Sequence, residues 1–442
     1  MTMSDATADA RADASVASAA QQTEFEKQTA AELRPEDIDR DRAALGHVGP
    51  SREQEHHSMA TEEVIRNFAN SYGDDNPLYC DPGYGATTRW GGQIAPPIMQ
   101  GVLNKPLLGD RLPKELRGGS YRGIHAFVSG GTWDWFAPVR PGDTLYSFSG
   151  LESVDEKVSE FAGRSVIRVL RDVKMNQRAE VVGVYRTLVI MTERKKAREK
   201  GKYKEVATPS WTDDEIAKLD AIYAAEQPRG REPRWWEDVK IGDQLQPMAK
   251  GPLTTTDMIV FHSGGYGWVP YGLHTGRIAY RNRQRIAPFF VKDEYGVPDV
   301  AQRVHWDNAW SQAIGNPRAY DYGVLRECWL HHLLTDWAGD DGWIARQHDE
   351  IRKFNYHGDA QVLTGEVTSK SCDDDRCLVE VAITATNQRD EVTAQGTATI
   401  ALPSRELGPV LLPEPPAELK RKAVEMMARH GELLRDTAPA RA

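Results

Sequence analysis

The sequence predicts an α+β protein built twice over, each repeat a long central helix wrapped by a curved antiparallel sheet. Three observations carry this. Each half reads as helices first and strands afterwards. The segment LYCDPGYGATTRWGGQIAPP aligns with VHWDNAWSQAIGNPRAYDYG, with Tyr79 on His305, Asp81 on Asp307, Tyr84 on Trp310 and Pro97 on Gly323; the first and last pairs stand 18 residues apart in both halves. The phrase VRPGDTL at 139–145 returns as VKIGDQL at 239–245. At 442 residues the chain is too long for one ordinary core, and two similar units suit the usual length of roughly 100 to 200 residues per domain.

In chain order, residues 1–55 are expected to be a mostly disordered tail. The first 22 are rich in Ala, Asp, Ser and Thr and lack the basic start and apolar segment of a signal peptide. A first domain spans 56–192. In it, TEEVIRNFANSYG places Val64, Ile65, Phe68, Ala69 and Tyr72 on one face at helical spacing, with Thr61 available as N-cap. The turn-forming string GDDNPLYCD follows, and IAPPIMQGVLNKPLL reads as a second, Pro-initiated apolar helix. From about 120 to 192, β-branched segments such as SVIRVLRDV and VVGVYRTLVIM read as long antiparallel strands.

Residues 193–234 are dense in charge and form a linker with one modest helical segment near Ile216 to Ala224. The second domain, 235–404, repeats the grammar. TTTDMIVFHSGG is a capped helix, YDYGVLRECWLHHLLTDW a buried one, and QVLTGEVTS, CLVEVAITAT and VTAQGTATIAL are strands. The extension 405–442 carries a helix from about 416 to 431, which serves a dimer interface or caps the fold.

Composition excludes some functions. The 65 acidic against 55 basic residues, without a concentrated basic face, argue against nucleic acid. No apolar run reaches the 18 or more residues of a membrane span. The four cysteines show no CxxC pair and no metal-ligand spacing, which suits a reduced, cytoplasmic protein.

GDDNPLYCD resembles the active-site loop of the MaoC-like or R-specific enoyl-CoA hydratases and dehydratases, approximately G-D-x-N-P-[LI]-H-x-D followed by H-G at the central helix. The first half matches at Gly73, Asp74, Asn76, Pro77, Leu78 and Asp81, with Tyr79 where the family has histidine. The second half matches at His305, Asp307, Gly315, Pro317 and Gly323, without the preceding G-D-x-N-P; a segment of about 40 residues (264–303) replaces it. The resemblance covers most of residues 55 to 403 and implies a double hot-dog fold. It further implies hydration or dehydration of an enoyl or 3-hydroxyacyl thioester, most simply a CoA ester, with the second half performing the chemistry and the first holding the acyl chain. It implies a homodimer, with no metal or redox cofactor.

Hydration needs a base for water, an acid for the α-carbon and donors for the thioester oxygen. Histidine suits the base because its pKa lies near operating pH and a neighbouring carboxylate can fix its tautomer. His305 is the candidate, with Asp307 ranked first as its carboxylate, Asp299 and Asp321 behind it, and Asp74 available if the halves share one site. His274 and His262 are the reserve acid–base groups. Gly323, at the start of the central helix, offers a backbone N–H to the oxyanion. Tyr322, Asp321, Tyr79 and Asn76 are the adjoining substrate-binding positions, Asn76 and Asp74 being equally explicable as turn-formers. Arg281 and Arg283, in the arginine cluster of 277–285, are placed to hold CoA phosphates or simply to face solvent. His331 and His332 are expected in the core or at an interface rather than on a metal. The rival functions are a thioesterase, a non-catalytic acyl-binding subunit, and a dehydratase or isomerase of a non-thioester substrate.

Overall fold

The structure, a computed structural model, describes residues 32–119, 121, 124–159, 163–193, 206–266, 276–314, 316–373 and 375–437. The first repeat holds α1 (Pro35–Ala44), β1 (Val48–Pro50), α2 (Glu62–Ser71), the short turns α3 (Pro77–Cys80) and α4 (Pro82–Gly85), and strands β2 (His125–Trp135), β3 (Leu145–Ser159), β4 (Gly163–Asn176) and β5 (Val181–Thr192). Helix α5 (Asp213–Ala225) lies in the charged linker. The second repeat holds β6 (Met248–Lys250), α6 (Thr255–Ser263), α7 (Gly276–Arg285), the hairpin β7 (Phe290–Lys292) and β8 (Pro298–Val300), α8 (Asn308–Ala313), α9 (Gly323–Ala338), and strands β9 (Trp343–Ile351), β10 (Gln361–Cys372), β11 (Cys377–Asn387) and β12 (Val392–Leu402). Helix α10 (Ala417–Thr437) closes the described chain.

One ten-stranded sheet runs β1-β3-β4-β5-β2-β9-β12-β11-β10-β6, five strands from each repeat in mirrored order. The repeats join where β2 meets β9 antiparallel, from Gly130↔Glu350 to Asp134↔Arg346. This is the double hot-dog. Strand β11 alternates buried and half-buried residues along its whole length, turning Cys377, Val379, Val381, Ile383 and Ala385 inward. What they cover is α9, which buries 13 of its 16 residues and packs against β2, β9, β10, β11 and β12. A helix buried on nearly every side is a core element, and α9 is the central helix of the second repeat, reaching the first through β2 and the 3₁₀ turn Pro97–Val102.

The helix expected from IAPPIMQGVLNKPLL is reduced to six residues of 3₁₀ helix, Pro97–Val102. Gly101 weakens helix there, and a Cβ at that position would stand 3.3 Å from Trp133. Pro106 then disfavours helical geometry at Lys105. Helices α2 and α6 match their expected forms. Thr61 accepts the Val64 N–H, and Thr254 with Asp257 forms a reciprocal cap. The two pack on each other, with Phe68 and Phe261 rings 6.5 Å apart.

Two further expectations are corrected. The tail is not disordered through residue 55: α1 is held by Asp41, which accepts Tyr121 Oη–H at 2.7 Å and pairs with Arg168 at 2.9 Å. The tail's first 31 residues lie outside the described residues. Cys372 and Cys377, opposite one another in the β10–β11 register, are disulfide-bonded rather than reduced. The C-terminal helix packs on the fold: Leu419 and Ala423 of α10 lie against Leu107, Tyr146 and Phe148 of the first repeat, and His430 Nδ1 accepts the Leu108 N–H. Among the described residues no helix is long and apolar enough to cross a membrane.

Candidate active site

The N-terminus of α9 is where most of the second repeat's chemistry-bearing side chains meet. Its cap residue, Tyr322, makes no side-chain cap bond; its carbonyl accepts the Leu325 N–H at 3.0 Å, and no cap side chain occupies the N–H groups before it. Residues 301–305, where the inserted segment runs into the motif, form a 3₁₀ turn that delivers His305 to this end, the rings of His305 and Tyr322 lying 3.9 Å apart. Arg303 anchors the turn. Its guanidinium donates to the carbonyls of Val291 and Lys292 and sits 4.4 Å over Trp310.

His305 Nδ1 lies 2.9 Å from the Tyr320 carbonyl. A carbonyl can only accept, so Nδ1 carries the proton and Nε2 is left with its lone pair, the tautomer a general base requires. Burial pushes the His305 pKa down to about 4, which keeps the ring neutral near pH 7. The nitrogen is therefore oriented by a backbone carbonyl. His357 Nε2 lies 3.0 Å from the His305 carbonyl and fixes the same turn from behind.

Tyr322 is fixed as firmly. Gln302 Nε2 donates to its oxygen at 2.9 Å, and His262 Nε2 lies 2.9 Å on the other side. Burial holds the phenol well above its usual pKa and depresses that of His262, so the hydroxyl donates to a neutral imidazole. Tyr266 and Trp306 complete the aromatic wall, their rings 4.8 Å from Tyr322 and 5.5 Å from His262.

The carboxylates expected beside His305 lie elsewhere. Asp307 accepts the Trp310 N–H at 2.9 Å, capping α8, and stands 3.3 Å from Arg303. Asp299 is 4.0 Å from the same arginine. Asp321 is wholly buried, pairs with Arg326 at 3.0 Å and accepts from Asn355 at 3.0 Å; burial pushes its pKa up to about 6. Asp74 belongs to the opposite end of α9, facing His332, so no composite Asp74–His305 site forms.

At that opposite end the first repeat's loop is shut. Asn76 caps α3 through the Leu78 N–H, and Tyr79, 4% exposed, shares with Asn76, Trp90, Pro97, Thr335 and Asp340 a cavity of about 20 Å³, the size of one water. Tyr84 Oη–H and Trp90 Nε1–H both donate to Asp340, at 2.7 and 2.8 Å, fastening the loop to the residues after α9. Tyr79 and Asn76 thus serve the closure of this loop and do not join His305. Arg281 is exposed and Arg283 half-buried on α7. His274 and Gly315 lie outside the described residues.

His331 and His332 are buried as expected, but His332 has a carboxylate at i+4, Asp336, 3.4 Å away. Sequence reasoning missed Gln302, Tyr266 and the Tyr320 carbonyl. The first lies within the motif's approach segment and was legible by position; a carbonyl leaves no side-chain signal.

Residues 47–183 match the family described as the FAS1-like dehydratase domain region. A UPF0336 protein of Streptomyces avermitilis is 30% identical over 128 residues, 29% of this chain and 81% of the relative. A solved MaoC-like dehydratase superimposes with a TM-score of 0.54 at 16% identity, over 82% of this chain and 98% of that one. A MaoC domain protein dehydratase from Chloroflexus aurantiacus gives a TM-score of 0.50 at 16% identity, over 82% and 96%.

Proposed function

Since the chain belongs to the MaoC-like dehydratase family, we propose that it adds water to an enoyl thioester, or removes it from the 3-hydroxyacyl form, at the N-terminus of α9, with acyl-CoA as substrate. The observation that carries the reading is His305, held by the Tyr320 carbonyl in the Nδ1–H tautomer at the N-terminus of α9, where the cap residue Tyr322 makes no side-chain bond to the helix.

His305 Nε2 takes a proton from water, and the hydroxyl oxygen bonds to the β-carbon. The charge moves through the α-carbon to the thioester oxygen, which accepts from the Gly323 N–H with the support of the α9 dipole. The imidazolium, made strongly acidic by its burial, then returns the proton to the α-carbon. One residue acts as base and then acid. Tyr322, locked by His262 and Gln302, is a positioning residue that fixes the ring plane beneath His305.

The test follows the enone absorbance of crotonyl-CoA and of a bulkier, ring-bearing enoyl-CoA, with a thiol reagent in parallel. Loss of the band without free thiol, abolished in His305→Ala, supports hydration at this site. Release of thiol points to a thioesterase. Turnover unchanged in His305→Ala removes His305 from the mechanism, and tight binding of both substrates without turnover leaves an acyl-binding subunit.

A further inference from the structure

The second cluster of chemistry-bearing side chains lies at the other end of α9. His332 and Asp336 sit one turn apart on one face of that helix. The GDDN loop brings Asp74 against them from the other repeat. His332 Nε2 is 3.6 Å from Asp74 Oδ1 and 3.4 Å from Asp336 Oδ2, and a ligand atom from each of the three lies within 4.8 Å of the others. The imidazole-to-carboxylate gaps are too wide for good hydrogen bonds. They suit ligands that share one small cation: with bonds of about 2.1 Å, tetrahedral neighbours stand roughly 3.4 Å apart.

Three further observations point to a ligand. Asp336 Oδ1 is buried with no hydrogen-bond partner, an acceptor whose demand the protein does not meet. Asp74 is held from behind, Tyr72 Oη–H donating to Oδ2 and the Asn76 N–H to Oδ1, both at 3.0 Å, as outer contacts hold a metal-binding carboxylate. Negative charge is in excess: Lys250, whose Nζ is 2.9 Å from His332 Nδ1, faces Glu226, Asp74, Asp336 and Asp75 together. There is also a way in. Asp336 lines an open cavity of about 600 Å³ alongside Glu226, Arg229, Asp243 and Gln246.

We propose that Asp74, His332 and Asp336 form a zinc site that clamps the two repeats together at the C-terminal end of α9. The three side chains supply two oxygens and one imidazole nitrogen, and water completes a four-coordinate shell. Tyr322 lies 10 residues before His332, roughly 15 Å at 1.5 Å per residue, so the site stands apart from His305 and does not depend on the hydratase reading. A charged Lys250 donates to His332 Nδ1 and leaves the imidazole proton on Nε2, so zinc binding at Nε2 moves that proton to Nδ1 and expels one from Lys250, which lowers affinity.

The experiment strips the full chain with a chelator and titrates it with zinc chloride against a chromophoric zinc indicator, with circular dichroism as a check on folding. One zinc per chain and a rise in thermal midpoint with added zinc are expected. Asp336→Ala and His332→Gln should each weaken binding at least tenfold, Lys250→Met should tighten it, and His305→Ala should leave it unchanged. Asp336 is the mildest of these changes because its side chain is partly exposed. A wild-type chain that takes up no stoichiometric zinc, or an Asp336→Ala variant that binds as tightly as wild type, overturns the proposal.

Discussion

The two ends of α9 carry two versions of one loop. At its C-terminal end the first repeat keeps Gly73, Asp74, Asn76 and Pro77 of the motif, yet the loop closes on a space of about 20 Å³. At its N-terminal end the second repeat has lost that run but keeps a histidine beside a helix start whose cap residue makes no side-chain bond. The better match to the pattern is the sealed one. The reason is packing: the first repeat's own helix has shrunk to a 3₁₀ turn, and the last turn of α9 occupies the space against Tyr79. A motif records which residues are available; what stands opposite the loop decides whether a substrate reaches them.

The sharpest way to break this contrast is to mutate both loops. His305→Ala should lower kcat/KM for an enoyl-CoA by about 10²- to 10⁴-fold, the usual contribution of a general base. Tyr79→Phe should change it less than about threefold, because that loop is closed. Equal losses would dissolve the distinction. The acid limb of kcat/KM should lie near pH 4, where burial has moved His305, and a limb near the ordinary histidine value of about 6.5 would show that the base is a different, exposed group.

The N-terminal end of α9 should also be rigidly supported. Arg326, on the first turns of α9, pairs with buried Asp321 and donates to the carbonyls of Lys353 and Thr393. Arg326→Met strands a buried carboxylate and should cost about 3 to 5 kcal/mol in urea denaturation at pH 7. A cost under about 1 kcal/mol would mean that the end of α9 relaxes freely once unpaired.

Where the repeats meet, Glu327 of α9 and Asp349 of β9 are both buried, and Tyr185 Oη–H from the first repeat donates to Glu327 at 3.0 Å. Burial pushes the Glu327 pKa up to about 7. The folded chain therefore holds this proton more tightly than the unfolded chain. The stabilisation is fully present below about pH 4.5 and is lost as pH rises to about 7. Glu327→Gln should be more stable than wild type at pH 8 relative to their difference at pH 5, by up to roughly 3 kcal/mol. His305, His331 and His332, all pushed down to about 4, work in the opposite sense, losing stability as pH falls from about 6.5 towards 4. An unchanged difference between pH 5 and 8 would show that Glu327 stays charged at the junction.

What was legible in the sequence was what local chemistry dictates. Thr61 and Thr254 announce their helices, β11 alternates, and the aligned positions Tyr79 and His305 mark the two loops. What was not legible depends on distant partners. Helix α1 orders because Tyr121 and Arg168 reach Asp41. The spacing of His332 and Asp336 is visible in the chain, but Asp74 joins them from 258 residues earlier. The shrunken first helix was partly readable, since Gly101 and Pro106 both argue against helix, but its apolar run outweighed them.

The smallest effect tests the same point at one residue. Asp307 is the carboxylate the sequence places nearest His305, two positions on, and it is bonded instead to the Trp310 N–H and Arg303. Asp307→Ala should cost about 1 kcal/mol of stability as a lost helix cap. The kcat value should stay within about twofold, because the Tyr320 carbonyl and not a carboxylate sets the His305 tautomer. A fall of a hundredfold at unchanged stability would show that the carboxylate swings to His305 once substrate is bound, and the backbone would lose its part in orienting the base.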